Sequence, residues 1–226
     1  MSDAGLPRLP ASPSGEGGSP LGMIRRYIRQ REPFERCELC NAAIPPDPDH
    51  RHLLDTGNRQ VVCVCAACAV SMGGGQDSAR RFRLIPQRVD TLADFQMSDA
   101  LWDGVLIPVG MAFFFFSTAA KKMVAYYPSP AGATESLLSP DSWEAIVHAN
   151  PALAKMEPDV EALLVNRVRG ARDYYRVPID ECYRLVGVVR MYWHGLSGGT
   201  EVWDEIDKFF ADLTRRSQPV ERTSHA

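Results

Sequence analysis

The chain has 226 residues, 45% of them hydrophobic and 23% charged, with a formal net charge of −3. That supplies the core of one domain of about 200 residues with a small satellite, or of two small domains. It excludes a general attraction to nucleic acid or to an anionic membrane, and the longest apolar stretch, residues 105–116, is too short for a spanning helix.

Residues 1–22 are low in large apolar side chains and rich in Pro, Gly and Ser, and are read as a disordered tail. They lack the apolar core of a secretory signal, so the expected compartment is the cytoplasm. There, clustered cysteines serve as metal ligands rather than as disulfides. A short amphipathic helix is predicted next, with Met23, Ile24, Tyr27 and Ile28 on one face. The arginines around it (Arg25, Arg26, Arg29, Arg31 and Arg36) read as a solvated face, the alternative being a docking site for an acidic partner.

Five of the six cysteines fall in one 32-residue window. They form Cys37-Glu38-Leu39-Cys40 and Cys63-Val64-Cys65-Ala66-Ala67-Cys68, with 24 residues between the Cys37–Cys40 and Cys65–Cys68 pairs. Two CxxC pairs at this separation are the pattern of a four-thiolate knuckle, in which a hairpin brings two tight turns together. Cys37, Cys40, Cys65 and Cys68 are the assigned ligands. Zinc is the assigned metal, with iron in a rubredoxin-like site as the alternative. Cys63 is spare: a replacement for Cys65, a thiol behind the ligands, a redox group, or a passive buried residue. His50 and His52 alternate along a predicted strand and point the same way. They read as hairpin histidines, the alternative being that they replace a thiolate or hydrogen-bond a ligand. Turns are predicted at residues 44–48 and 56–58, with a strand at 60–63 between the second turn and the cysteines. Gly73-Gly74-Gly75 lacks the ending of a phosphate loop and reads as a linker closing the module at residues 23–75.

Residues 76–216 are read as an α+β domain. A strand is predicted at 81–86, a helical turn at 99–102, and a hairpin of 107–117 with 122–127. Phe113 to Phe116 put rings on both faces of one strand, which is then a central strand covered on each side or one that offers a face to a partner. Ser139-Pro140 starts a helix, with Leu138 stapled against Trp143. Pro158 starts a second, predicted to carry Val160, Leu163, Leu164 and Val168 and to end at Gly170. Pro178 starts a third, whose apolar face includes Cys182, and Thr200 caps a fourth. Residues 126–136, with Ser129, Thr134, Glu135 and Ser136, and residues 193–200 read as loops suited to a ligand or peptide, the plainer reading of the first being a crossover. Residues 217–226 read as a second disordered tail. No nucleophile elbow, metalloprotease helix, phosphate loop or dinucleotide fingerprint is present, which points away from a standard enzyme.

Several segments together carry a resemblance: CELC, HRHLLD, CVCAAC, RFRLIP, YPSPAGATESLL, MEPDVEALLVNR, VPIDECYRLVG and GLSGGTEVWDEI. The chain resembles an uncharacterised family of actinobacterial proteins of this length, a domain of unknown function (DUF5947-like), over roughly residues 33–215. The resemblance implies genes that often lie beside those of nickel–iron hydrogenases and their maturation factors, and it implies no catalytic residues. The expected architecture is α+β: an N-terminal zinc-knuckle hairpin on a small antiparallel sheet covered by four C-terminal helices. The expected function is that of a non-enzymatic accessory or assembly protein, with a structural zinc and a protein partner among hydrogenase subunits or maturation factors. The alternative is a metal-dependent or thiol-based enzyme, or a metallochaperone, using Cys63, His50 or His52. A zinc-dependent nucleic-acid binder is the weakest reading, since basic and aromatic residues do not interleave.

Overall fold

A computed structural model describes residues 35–44, 50–74 and 81–220. The amphipathic segment at 23–30 and the turn at 45–48 lie outside the described residues.

The first part is small. Strands β1 (Glu35–Arg36) and β2 (Ala43–Ile44) pair across the first CxxC. Strands β3 (Arg51–Asp55) and β4 (Gln60–Val64) form the expected antiparallel hairpin, and β5 (Phe82–Leu84) adds to the other edge of β3. Helix α1 (Ala66–Gly73) follows β4 directly. Gly73 closes that helix rather than serving as open linker. A Cβ there would meet Leu53 Cδ2 at 2.7 Å and Leu84 Cβ at 2.9 Å, so the helix end lies flat on β3 and β5.

The body is built on a seven-stranded sheet, larger than the small sheet expected. The remaining strands are β6 (Asp90–Thr91), β7 (Met111–Ser117), β8 (Lys122–Ser129), β9 (Gly132–Ser136), β10 (Glu161–Asn166), β11 (Asp173–Pro178) and β12 (Gln218–Pro219). Their order in the sheet is β12-β6-β11-β10-β7-β8-β9. Every neighbouring pair is antiparallel except β12 with β6. The other helices are α2 (Asp99–Asp103), α3 (Pro140–Ala149), α4 (Ile179–Tyr192) and α5 (Glu201–Arg216).

Strand alternation divides the core. On β7, Phe113 and Phe115 face one side with Ala162 and Leu164 of β10, under α4 and α5. Ala112 and Phe114 face the other with Leu163 and Val165, under α3. The phenylalanine run therefore belongs to a central strand covered on both faces, the first of the two readings above. Phe113, Phe114 and Phe115 are buried and only Phe116 reaches solvent, so the run is not a docking surface.

Two further expectations are corrected. The segment from Pro158 to Gly170 is strand β10 followed by a short 3-10 turn, not a helix. All six residues of β10 are buried between β11 and β7, and a strand buried on both faces shows no period-2 pattern to tell it from a buried helix. Residues 126–136 lie in the β8–β9 hairpin, tightened by Ser129 Oγ donating to the Gly132 carbonyl at 2.9 Å, not in a crossover loop. The starts of α3 and α4 fall where Pro140 and Pro178 place them, and Ser139 Oγ caps α3 by accepting from Ser142 N–H at 3.1 Å. Thr200 precedes α5 without a side-chain cap bond.

Candidate metal centre

Cys37 and Cys40 sit on the turn between β1 and β2. The Asn41 N–H donates to the Cys37 carbonyl and the Cys37 N–H to the Ala42 carbonyl, both at 2.8 Å. Asn41 takes a left-handed conformation, φ 61°, that a short polar side chain tolerates. Cys65 is the residue before α1, with extended backbone, and Cys68 lies in the first turn of that helix. The turn is tied to β4 by the Glu38 N–H donating to the Cys63 carbonyl at 3.0 Å and by the Cys63 N–H donating to Glu38 Oε1 at 2.7 Å. The second CxxC is thereby held against the first.

The ligand atoms of Cys37, Cys40, Cys65 and Cys68 lie within 4.8 Å of one another, and the Cys40 and Cys65 sulfurs are 3.7 Å apart. Sulfurs at about 2.3 Å from a tetrahedral centre stand about 3.8 Å from each other. The donor set can hold a metal ion with little rearrangement. Its electrostatics agree. Burial raises the Cys37 thiol, but N–H groups of Cys65, Cys40 and Leu39 outweigh it and bring it down to about 6. Cys68 is pushed up to about 12, first by the Cys40 side chain and then by burial. One thiolate is stabilised by the turn, while the Cys40 and Cys68 thiols are raised.

Cys63 does not join this set. It faces His52 directly across the hairpin, and His50 lies two residues before His52 on the same side. The ligand atoms of His50, His52 and Cys63 form a second group within 4.8 Å. The two Nε2 atoms are 2.8 Å apart, and the Cys63 sulfur is 3.9 Å from that of His50. His52 Nδ1 meets Asp180 Oδ2 at 2.6 Å, and Asp180 Oδ1 accepts the Glu181 N–H at 2.9 Å in the first turn of α4. Burial, then Glu35, Glu38 and Asp180, raise the Cys63 thiol to about 11, so it is not a free thiolate nucleophile at neutral pH. A cleft of about 330 Å³ opens beside the two imidazoles, walled also by Pro86, Asp180, Glu181 and Arg216. Hairpin histidines they are, but with partners. The pairing of His52 with Cys63 follows from counting outward from the 56–59 turn, whereas Asp180, 128 residues away, carries no local signal.

Cys182 is fully buried on α4 among the sheet residues, as its place on an apolar helix face implies, and burial pushes its thiol well up. Ser129, Thr134, Glu135 and Ser136 lie along the β8–β9 hairpin. There Glu135 Oε2 accepts from the Tyr126 hydroxyl at 3.0 Å, and Ser129 and Thr134 bond to each other at 2.9 Å. Ser136 Oγ donates instead to the Leu106 carbonyl at 3.4 Å. The 195–199 turn is closed by a bridge between His194 and Gly198 and leaves Leu196 fully exposed. Among the described residues no helix is long and apolar enough to cross a membrane.

The chain belongs to a family of unknown function, DUF5947, whose family model matches residues 36–217. It matches none of the curated proteins and none of the solved structures.

Proposed function

We propose that this DUF5947 member is a non-enzymatic accessory or assembly protein whose knuckle is closed by a structural Zn²⁺. The carrying observation is the convergence of four thiols from two turns into one tetrahedral-sized set. A four-sulfur site leaves no position for substrate, so the ion would hold the fold and do no chemistry. Support for a protein partner comes from apolar side chains exposed on the knuckle and its helix, Leu39, Val70 and Met72, and from Leu196 on the 195–199 turn. The family resemblance makes nickel–iron hydrogenase subunits and their maturation factors the partners to try. The competing reading, a metal-dependent enzyme or a metallochaperone, is favoured by one observation, the His50–His52–Cys63 group beside a cleft.

The experiment has two arms. Elemental analysis of the purified chain should find zinc rather than iron, with one equivalent lost in Cys40→Ser. Purified hydrogenase subunits and maturation factors should be captured by wild type and released by Val70→Asp. Iron with visible absorption bands would replace the zinc assignment. Failure of wild type to capture any of these proteins would sink the accessory role while leaving the metal site standing.

A further inference from the structure

We propose that His50, His52 and Cys63 form a second metal site, distinct from the four-cysteine knuckle, whose open coordination position faces the cleft between the β3–β4 hairpin and α4. The ion is a divalent transition metal of borderline softness, the class suited to two imidazoles and one thiolate. The inference does not depend on the accessory role.

Three observations carry it. The donors converge from a hairpin: His52 and Cys63 are a cross-strand pair, and His50 is on the same face two residues away. Side chains in such positions stand about 5 Å apart at Cβ, near enough to share one ion. The second observation is Asp180. Its carboxylate holds His52 Nδ1 at 2.6 Å. The Nδ1–H is thereby committed to the carboxylate, and the lone pair of a neutral ring sits on Nε2, the atom that faces His50 and Cys63. A carboxylate behind a ligating imidazole is the usual device for orienting that ring toward a metal. The third is access. His50 and His52 wall the cleft and Cys63 does not, so an ion held by the three keeps one side toward the open volume. Three protein ligands with one open position is the arrangement of reactive or exchangeable zinc sites, whereas four closed ligands mark structural ones.

The geometry needs one small change. Two imidazole nitrogens on one tetrahedral ion stand about 3.3 Å apart, and nitrogen and sulfur about 3.6 Å. The present separations are 2.8 Å between the nitrogens and 3.9 Å from His50 to the sulfur. Opening the imidazole pair by about half an ångström while His50 moves about 0.3 Å toward the sulfur, within side-chain rotation, meets both values. Glu35 Oε2, 3.7 Å from His50 Nε2, and Asp180 add negative charge around the group, which suits a cation.

The test uses the full chain, stripped of metal under reducing conditions and titrated with Zn²⁺ and, as a spectroscopic probe, Co²⁺. Wild type should take up two equivalents. His50→Ala/His52→Ala should take up one, with an unchanged far-ultraviolet circular dichroism spectrum after loading. Asp180→Asn, which leaves all three donors in place, should lower the affinity for the second equivalent 10- to 100-fold and leave the first untouched. Uptake of one equivalent by wild type, or survival of the second in His50→Ala/His52→Ala, overturns the site. Uptake of none would overturn the knuckle reading as well, so the two failures are told apart. An unchanged second affinity in Asp180→Asn would remove Asp180 from its positioning role.

Discussion

Leu53 and Leu54 are neighbours on β3 and serve two different cores. Leu53 packs with Cys37, Ile44, Val64 and Ala69, a cluster of five buried residues under the knuckle. Leu54 faces the body, in a cluster that runs through Phe113, Leu164, Ile179, Leu185 and Phe210 to Leu213. The knuckle core is only these five residues with partly buried cysteines around them, and burial of that size cannot offset the entropy of ordering its turns. The body buries large side chains on both faces of its sheet and needs no such help. On the proposed reading the knuckle is held by coordination and the body by packing, and the boundary between the two runs across a single strand.

The largest effect expected from the proposed structural ion is that of its removal. Structural zinc in small domains is worth about 10–16 kcal/mol of apparent binding free energy coupled to folding. A chelator is expected to melt the β1–β2 turn and α1 while the seven-stranded sheet stays folded. Hydrogen exchange would read this as loss of protection at 35–44 and 65–73 with protection retained on β7 and β10. A single cooperative loss of both regions would erase the distinction drawn here. Cys65→Ser should reproduce the chelator, and Cys182→Ser should leave metal content unchanged.

Packing effects come next. Leu53→Ala and Leu54→Ala delete the same atoms from buried sites, and each is expected to cost about 2–5 kcal/mol. They should differ in where the cost appears. Leu53→Ala should weaken metal retention with little change in the melting of the sheet. Leu54→Ala should lower the sheet's melting temperature and leave metal affinity alone. Equal loss of metal in both would show that the two cores are one cooperative unit.

Gly73→Ala sharpens the same line from the opposite direction. The added Cβ would meet Leu53 Cδ2 and the Leu84 side chain at less than 3 Å. Overpacking of this kind costs about 1–3 kcal/mol, and it should fall on the knuckle. Faster metal loss to a competing chelator is the expected reading, with the melting temperature of the body unmoved.

What the chain disclosed from its residues follows the same division. The four-cysteine cluster was legible because its parts are local: CELC, CVCAAC and the turn between them lie in 32 residues, and the structure brings the four thiols together. The hairpin and the Pro-started helices α3 and α4 were legible for the same reason, since caps and turns act over three or four residues. Strand β10 was not. Glu-Ala-Leu-Leu-Val-Asn, between Pro158 and Gly170, carries good helix formers, and only the flanking strands β7 and β11 make it a central strand. Strand β11 itself, with Tyr174, Tyr175 and Val177, held the missed signal: a β-rich run just after a turn, pairing back on the segment before it. The same limit explains Cys63. Its cross-strand partner could be counted out, but the carboxylate that orients the partner's ring arrives from α4 by tertiary docking.

The smallest effect belongs to the surface of the body. Asp212 on α5 accepts from Arg184, Arg215 and Arg216, and its carboxylate is partly exposed. Burial acts to raise its titration point, but Arg216, Arg184 and Arg215 outweigh it and hold the group below the ordinary value of 3.8. A carboxylate depressed in the folded state contributes stability above its unfolded titration point, and that contribution is lost as the pH falls through the lower, folded one. Asp212→Asn should therefore be less stable than wild type at neutral pH, by no more than about 1 kcal/mol given its exposure. The difference should shrink as the pH drops below 3.8. It should also shrink in high salt, where exposed pairs are screened. Urea denaturation of the body at neutral and acid pH, each at low and high salt, would measure it. A difference that grows toward acid would mean that the arginines do not hold this carboxylate ionised. A difference of several kcal/mol at neutral pH would mean that the body depends on its surface charges, and its contrast with the knuckle would need redrawing.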